Sequence, residues 1–213
     1  LKKLLVCNDS LAEKAYEDFR SLKLFDGETP ALLAYDGIQY KYMAPSLFTQ
    51  EQLDYVKDHL RILSGFYGVL RPFDGVSPYR LEMQAKLKTE DCGNLYEFWG
   101  GLLGGFLLKE DRVLVNLASE EYAKAVRPYV KGKARFITCV FAEELEPGKL
   151  VEKGVYVKMA RGEMVRFAAE HGVESPEGLK EFRRLGYSFA EELSGEDTYV
   201  FRRKPENKKK TPG

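Results

Sequence analysis

Residues 134–162 read ARFITCVFAEELEPGKLVEKGVYVKMARG, with alternating positions on both sides of Pro147-Gly148. A period of two is the strand period, so ARFITCVFAEEL and GVYVKMARG read as strands, with a third short one at KLVEK. The three form a meander. Upstream, RVLVNLAS is apolar and β-branched enough for a buried strand, and Ser119 is placed to cap a helix EEYAKAV that Arg127-Pro128 closes. Downstream, a helix from Met164 to Glu170 follows Arg161-Gly162, and PEGLKEFRRL makes another with Pro176 in its first turn. YSFAEELSGEDTYVFRR reads as a closing hairpin with Ser194-Gly195 near its turn. The strands therefore fall mostly in the second half.

The first half is mainly helical. Residues 1–20 give two short helices separated by Asn8-Asp9-Ser10, and residues 30–42 leave helix and turn open. Thr49 precedes EQLDYVKDHLRIL, whose Leu53, Val56, Leu60 and Leu63 make an amphipathic stripe. Gly65 then ends that helix or opens a hairpin. Pro72, Asp74-Gly75 and Pro78 forbid a long regular element, and Asn94 begins LYEFWGGLLGGFLLKE, a helix loosened by four glycines. The expectation is α+β: one mixed domain over residues 1–204, helices beside a mostly antiparallel sheet, then a disordered basic tail over 205–213.

Composition narrows the function. Hydrophobic residues at 44% and aromatics at 13% are globular values, and no run reaches the roughly 20 apolar residues of a membrane span. Cys7, Cys92 and Cys139 are far apart and lack CxxC spacing, which favours reduced thiols in a cytoplasmic protein. Lysine plus arginine equals aspartate plus glutamate at 33 each. A zero balance argues mildly against nucleic acid, yet charge distribution can still leave one basic cleft.

His59 and His171 lack metal-ligand spacing, so neither a metal nor a cofactor is expected. Phosphate-loop, dinucleotide and nucleophile-elbow motifs do not occur. Four cations stand beside turn signals: Arg71 before Pro72, Arg80 after Pro78-Tyr79, Lys158 at the end of an apolar strand, and Arg161 before Gly162. Guanidinium groups fixed in this way suit phosphate or carboxylate recognition; the plainer reading pairs them with Glu82, Glu97 or Glu163. Glu82 and Asn116 are the polar residues placed to orient such groups. LSGFYG, residues 63–68, loosely fits a helix-hairpin-helix, whose backbone N–H groups meet phosphates, with one residue too many between Gly65 and Gly68; a glycine cap and packed turn fit equally.

LRILSGFYGVLRPFDGVSPYRLEM, LYEFWG, VLVNLASEEYAKAVRP and VKMARGEMVRF, in this order and spacing, resemble the YaaA family of peroxide-stress response proteins. The resemblance implies a bacterial intracellular protein that limits iron-linked oxidative damage. It also implies a mixed fold with a positively charged cleft, a helix-hairpin-helix element, and binding to duplex and distorted DNA. Matched by motif, the positions are Gly65, Gly68, Arg71, Arg80, Glu82, Trp99, Asn116, Ser119, Lys158, Arg161 and Gly162. The family usually opens on a strand with a Ser-Pro-Ala-Lys motif, which is not among the residues from Leu1 onward; if its lysine helps line the cleft, these residues hold only part of the expected site. Non-sequence-specific DNA binding by a monomer is the leading expectation. The alternative is an enzyme acting on a nucleotide or nucleic acid, with Arg80, Lys158 and Arg161 on a phosphate and Glu82 as acid or base; a small anionic ligand fits the same cations. Direct iron sequestration is disfavoured for want of a ligand cluster.

Overall fold

The computed structural model describes residues 1–5, 7–22, 29–146 and 149–204. The expected tail lies outside them. In chain order the elements are α1 (Lys2–Leu5), α2 (Asp9–Ser21), β1 (Thr29–Pro30), α3 (Ala31–Ala34), α4 (Ile38–Met43), α5 (Gln50–His59), β2 (Ile62–Ser64), β3 (Gly68–Leu70) and β4 (Gly75–Val76). There follow α6 (Leu95–Trp99), α7 (Leu102–Glu110), β5 (Val113–Asn116), α8 (Glu120–Val130), β6 (Arg135–Glu146), β7 (Lys149–Val151), α9 (Gly154–His171), β8 (Ser188–Phe189) and β9 (Thr198–Arg203). Helices and strands mix as α+β, and the chain divides into two compact units. The first takes residues 1–36 and 45–136; the second takes 37–44 and those from Ile137 onward.

Local capping sets the helix starts of the first unit. Asn8 accepts from Leu11 N, Asn94 accepts from Glu97 N, and Thr49 and Gln52 form a reciprocal capping box. Thr49→Ala is expected to cost about 1 kcal/mol by removing this cap; an unchanged urea midpoint would disprove that role. Helix α5 stops at His59, earlier than its apolar stripe suggests, because Ile62–Ser64 leave it to pair antiparallel with Gly68–Leu70. A β-hairpin therefore occupies LSGFYG, where a helix-hairpin-helix had been a candidate. Strand β5 forms, but Val113 and Val115 are exposed, so it is not a buried strand. Helix α8 runs through Pro128 to Val130, since proline forfeits one backbone bond while Val130 is wholly buried. Around these elements Leu5, Leu81, Met83, Leu95, Leu103, Val126 and Val130 form one apolar cluster.

In the second unit β6 carries the sheet. It pairs with β9 in parallel over residues 138–143, with β7 antiparallel over 143–146, and β8 closes antiparallel on β9. The longest of these pairings is thus parallel, against the mostly antiparallel expectation. GVYVKMARG is no strand: it is the first half of α9. Its local alternation misleads because the buried set Val157, Ala160, Met164, Val165, Phe167 and Ala168 shows helical spacing only when the window extends past Gly162. Val155, apolar in the supposed strand, is 57% exposed. Residues 176–181 make a 3₁₀ turn in place of the expected α-helix. The core here is aromatic: Phe141 meets Phe182, Tyr187 and Phe201 at centroid distances of 6.0, 5.5 and 5.2 Å.

Candidate functional site

The hairpin β2–β3 is the platform of the first unit's candidate residues. At its turn the Ser64 hydroxyl accepts from Phe66 N at 3.0 Å and Tyr67 N at 2.8 Å. Gly65 lets the next segment approach, for a Cβ there would lie 2.5 Å from the Leu81 carbonyl oxygen and 3.0 Å from the Glu82 carbonyl carbon. Gly68, at φ +82°, lies beneath the Trp99 ring, and Trp99 Nε1 donates to the Gly65 carbonyl at 3.0 Å. The two glycines and Trp99 thus hold PYRLEM against the hairpin. They act through packing, not through exposed backbone donors.

Arg80 donates to Glu82 at 3.1 Å, while its buried Nε has no hydrogen-bond partner. Tyr79, next to Arg80 in sequence, belongs to a cluster with Tyr35 and Tyr122, and Tyr122 feels the charge of Glu82. Tyr79 shares hydrogen bonds with Ser64 at 2.6 Å and Tyr35 at 2.5 Å. Burial pushes the Tyr79 phenol far up, with the charge of Tyr35 adding to it. Burial also raises Tyr122, followed by the carboxylates of Glu121 and Glu82, and Tyr35 lies within the same electrostatic reach. All three stay protonated donors at neutral pH. Only the density of tyrosine in the sequence could have signalled Tyr35 and Tyr122, which are remote from PYRLEM along the chain.

Other candidates serve local structure. Arg71 pairs with Glu110 at 2.8 Å, and Glu110 also receives Arg61, whose hydrogen bond does most to hold its carboxyl below the usual range. Glu110 is not one of the glutamates first considered. Asn116 is buried and accepts from Ala118 N at 3.1 Å, closing the turn after β5. Ser119 occupies the start of α8 without a side-chain capping bond; its carbonyl accepts from Tyr122 and Ala123.

In the second unit Lys158 and Arg161 lie one turn apart on α9, not at a strand end. Lys158 is exposed. Arg161 is half-buried, and its Nε has no hydrogen-bond partner. Burial lowers its pKa, against the pull of Glu152 and Cys139, and the Cys139 thiol is itself pushed up to about 12 by burial. Among the described residues neither cation makes a salt bridge, and Glu163, a partner considered for them, pairs with Arg184 at 3.0 Å. Gly162 is no turn: it is the crossing point of α9 with α4, where an added Cβ would collide with the Gln39 carbonyl oxygen and stand 2.8 Å from Met43 N.

Among the described residues no three His, Cys, Asp or Glu side chains are grouped to hold a metal ion, and no helix is long and apolar enough to cross a membrane. Comparison with known proteins gives one consistent answer. Residues 1–193 match the family described as peroxide stress protein YaaA. A UPF0246 protein of Desulfitobacterium hafniense is 55% identical over 201 residues, covering 94% of this chain and 80% of its own. Those of Agathobacter rectalis and Pediococcus pentosaceus are 52% and 53% identical over 204 and 201 residues, covering 96% and 94% of this chain and 82% and 80% of their own. By this match, which runs through the hairpin, the PYRLEM segment and α9, the chain belongs to the YaaA family of peroxide stress proteins.

Proposed function

We propose that this family member binds DNA without sequence specificity and thereby limits iron-linked oxidative damage. The observation that carries the reading is the α9 pair: Lys158 exposed, Arg161 half-buried, and neither in a salt bridge among the described residues. A guanidinium partly withdrawn from water with its Nε unpartnered and no carboxylate in salt-bridge contact is costly, and a phosphate oxygen is the partner that its planar fork fits. Phosphate contacts of this kind supply affinity by counterion release and carry no base information, which suits a protein whose net charge is zero but whose cations are locally uncompensated. Arg80 offers a second such group in the first unit, since its Nε is unpartnered although Glu82 holds one terminal nitrogen.

Fluorescence anisotropy with labelled duplex, bubbled and single-stranded DNA across a salt series tests this. The Lys158→Ala/Arg161→Ala variant is expected to weaken binding equally for all sequences. It should also make the log–log salt slope shallower by about 1 to 2, the counterions of up to two lost phosphate contacts. Binding that is absent in the wild type, or a slope unmoved in the variant, overturns the proposal and directs attention to a small anionic substrate near Arg80 and Glu82.

A further inference from the structure

We propose that Tyr35 and Tyr79 are an oxidation site: one-electron oxidants of the oxygen-radical class couple the two rings covalently and staple residue 35 to the segment that carries Arg80 and Glu82. The geometry that points to this is hydroxyl against hydroxyl. The two phenolic oxygens are 2.5 Å apart, and the rings meet edge to face at 86° with centroids 6.2 Å apart. A tyrosyl radical carries its unpaired electron on the oxygen and on the ring carbons ortho and para to it, and of the carbons only the ortho pair is free of a substituent and can couple. Each ortho carbon is two bonds from its oxygen, so the hydroxyl contact puts coupling positions of both rings beside it. Tyr67 also lies against Tyr79, at 5.3 Å, but its hydroxyl is turned to accept from Ser77 N at 3.1 Å. Coupling of Tyr67 to Tyr79 is therefore the competing product, and the hydroxyl contact is what favours Tyr35.

Hydrogen bonds keep the pair in place. Ser64 accepts two backbone N–H bonds and shares a hydrogen bond with the Tyr79 hydroxyl at 2.6 Å. Tyr79 in turn shares its hydroxyl contact with Tyr35. Ser64 is fully buried in the hairpin turn, and both rings are partly covered, so small radicals can reach phenols that are held still. The balance is simple. Each phenol gives one hydrogen atom to one hydroxyl radical, which becomes water; the two tyrosyl radicals then form one carbon–carbon bond, and the two ring hydrogens at that bond return to the oxygens. Two hydrogen atoms are lost from the protein.

The full chain is photo-oxidised with ruthenium tris(bipyridine) and persulfate, then digested, and linked peptides are identified by tandem mass spectrometry of the monomeric fraction. The expected product joins the Tyr35 and Tyr79 peptides at a mass two hydrogens below their sum. It is absent from Tyr35→Phe and from Tyr79→Phe, retained in Tyr16→Phe, whose ring is 56% exposed, and lost when wild type is oxidised in denaturing urea. The linked protein should also unfold at a higher denaturant concentration, because the bond closes a loop between residues 44 apart in sequence. Native protein in which both tyrosines are oxidised but unlinked overturns the proposal, as does a link from Tyr79 to Tyr67 in its place. A wild-type link that is equally abundant in urea does so as well, and this comparison holds even if a phenylalanine variant fails to fold.

Discussion

Replacing Gly162 with alanine is expected to destabilise the second unit by about 3 kcal/mol, and valine there is expected to prevent its folding. Taken alone, α9 would gain from the change, since glycine inside a helix costs about 1 kcal/mol relative to alanine. The sign reverses because α4 crosses at this point. A Cβ would run into the Gln39 carbonyl and stand 2.8 Å from Met43 N, and both are backbone atoms that no rotamer change can move aside. Met43, Ala160 and Met164 on either side are almost wholly buried, so the helices cannot separate without opening the core. Gly105 of α7 is the internal comparison. Nothing lies within 4 Å of a Cβ placed there, and Gly105→Ala is expected to raise stability by up to about 1 kcal/mol. Urea unfolding of the two variants checks both signs; a Gly162→Ala protein as stable as wild type would show that α4 and α9 do not pack this closely.

Glu143→Ala should also cost about 3 kcal/mol, for a different reason. The Glu143 side chain is nearly inaccessible on β6 and meets Lys153 at 2.7 Å and Arg203 at 3.6 Å. Arg203 is 5% exposed, with its guanidinium 3.6 Å from the centre of the Tyr156 ring. Without the carboxylate a buried cation loses its counter-charge, whereas replacing Glu143 and Arg203 together by apolar residues should restore part of the loss. Proton linkage supplies an independent readout. The hydrogen bond from Lys153 is the main cause that holds the Glu143 carboxyl below its ordinary 4.5, followed by burial, which opposes it, and then the charge of Arg203. The unfolded chain therefore takes up this proton first as pH falls. Stability from the ionised group is complete above the ordinary value and disappears as pH drops through the depressed folded value. The difference between wild type and Glu143→Gln should accordingly be constant at neutral pH and shrink below pH 4.5. A difference that stays flat into acid would mean that Glu143 is not ionised in the folded protein.

These two positions illustrate what was legible in the chain and what was not. Asn8, Thr49 and Asn94 could be read as helix starts because a cap is satisfied by residues three positions away, and the structure uses all three. Strand β6 and the hairpin of β8 with β9 were legible for a similar reason, since their alternation and turn residues are near neighbours. The family could also be read, because its motifs are contiguous stretches of sequence. Residues 154–162 defeated the same reasoning. Nine residues of alternating pattern fit two periods, and burial against the aromatic core through Phe167 and Ala168 selects the helix. That choice moved Lys158 and Arg161 from a strand end to one helix face, and turned Gly162 from a turn signal into a contact surface.

Amino-acid order by itself determined the elements whose causes are local: caps, turns, amphipathic stripes and the family motifs they carry. Tertiary structure alone decided the rest. It brought Tyr35 and Tyr122 to the PYRLEM segment, gave Arg71 to Glu110 while leaving the Arg161 Nε without a partner, and buried Glu143 with Arg203. The physical reason is range. A capping bond is chosen among atoms a few residues apart, but the partner of a charge or a phenol is chosen by whichever distant segment the packed core delivers within hydrogen-bond reach.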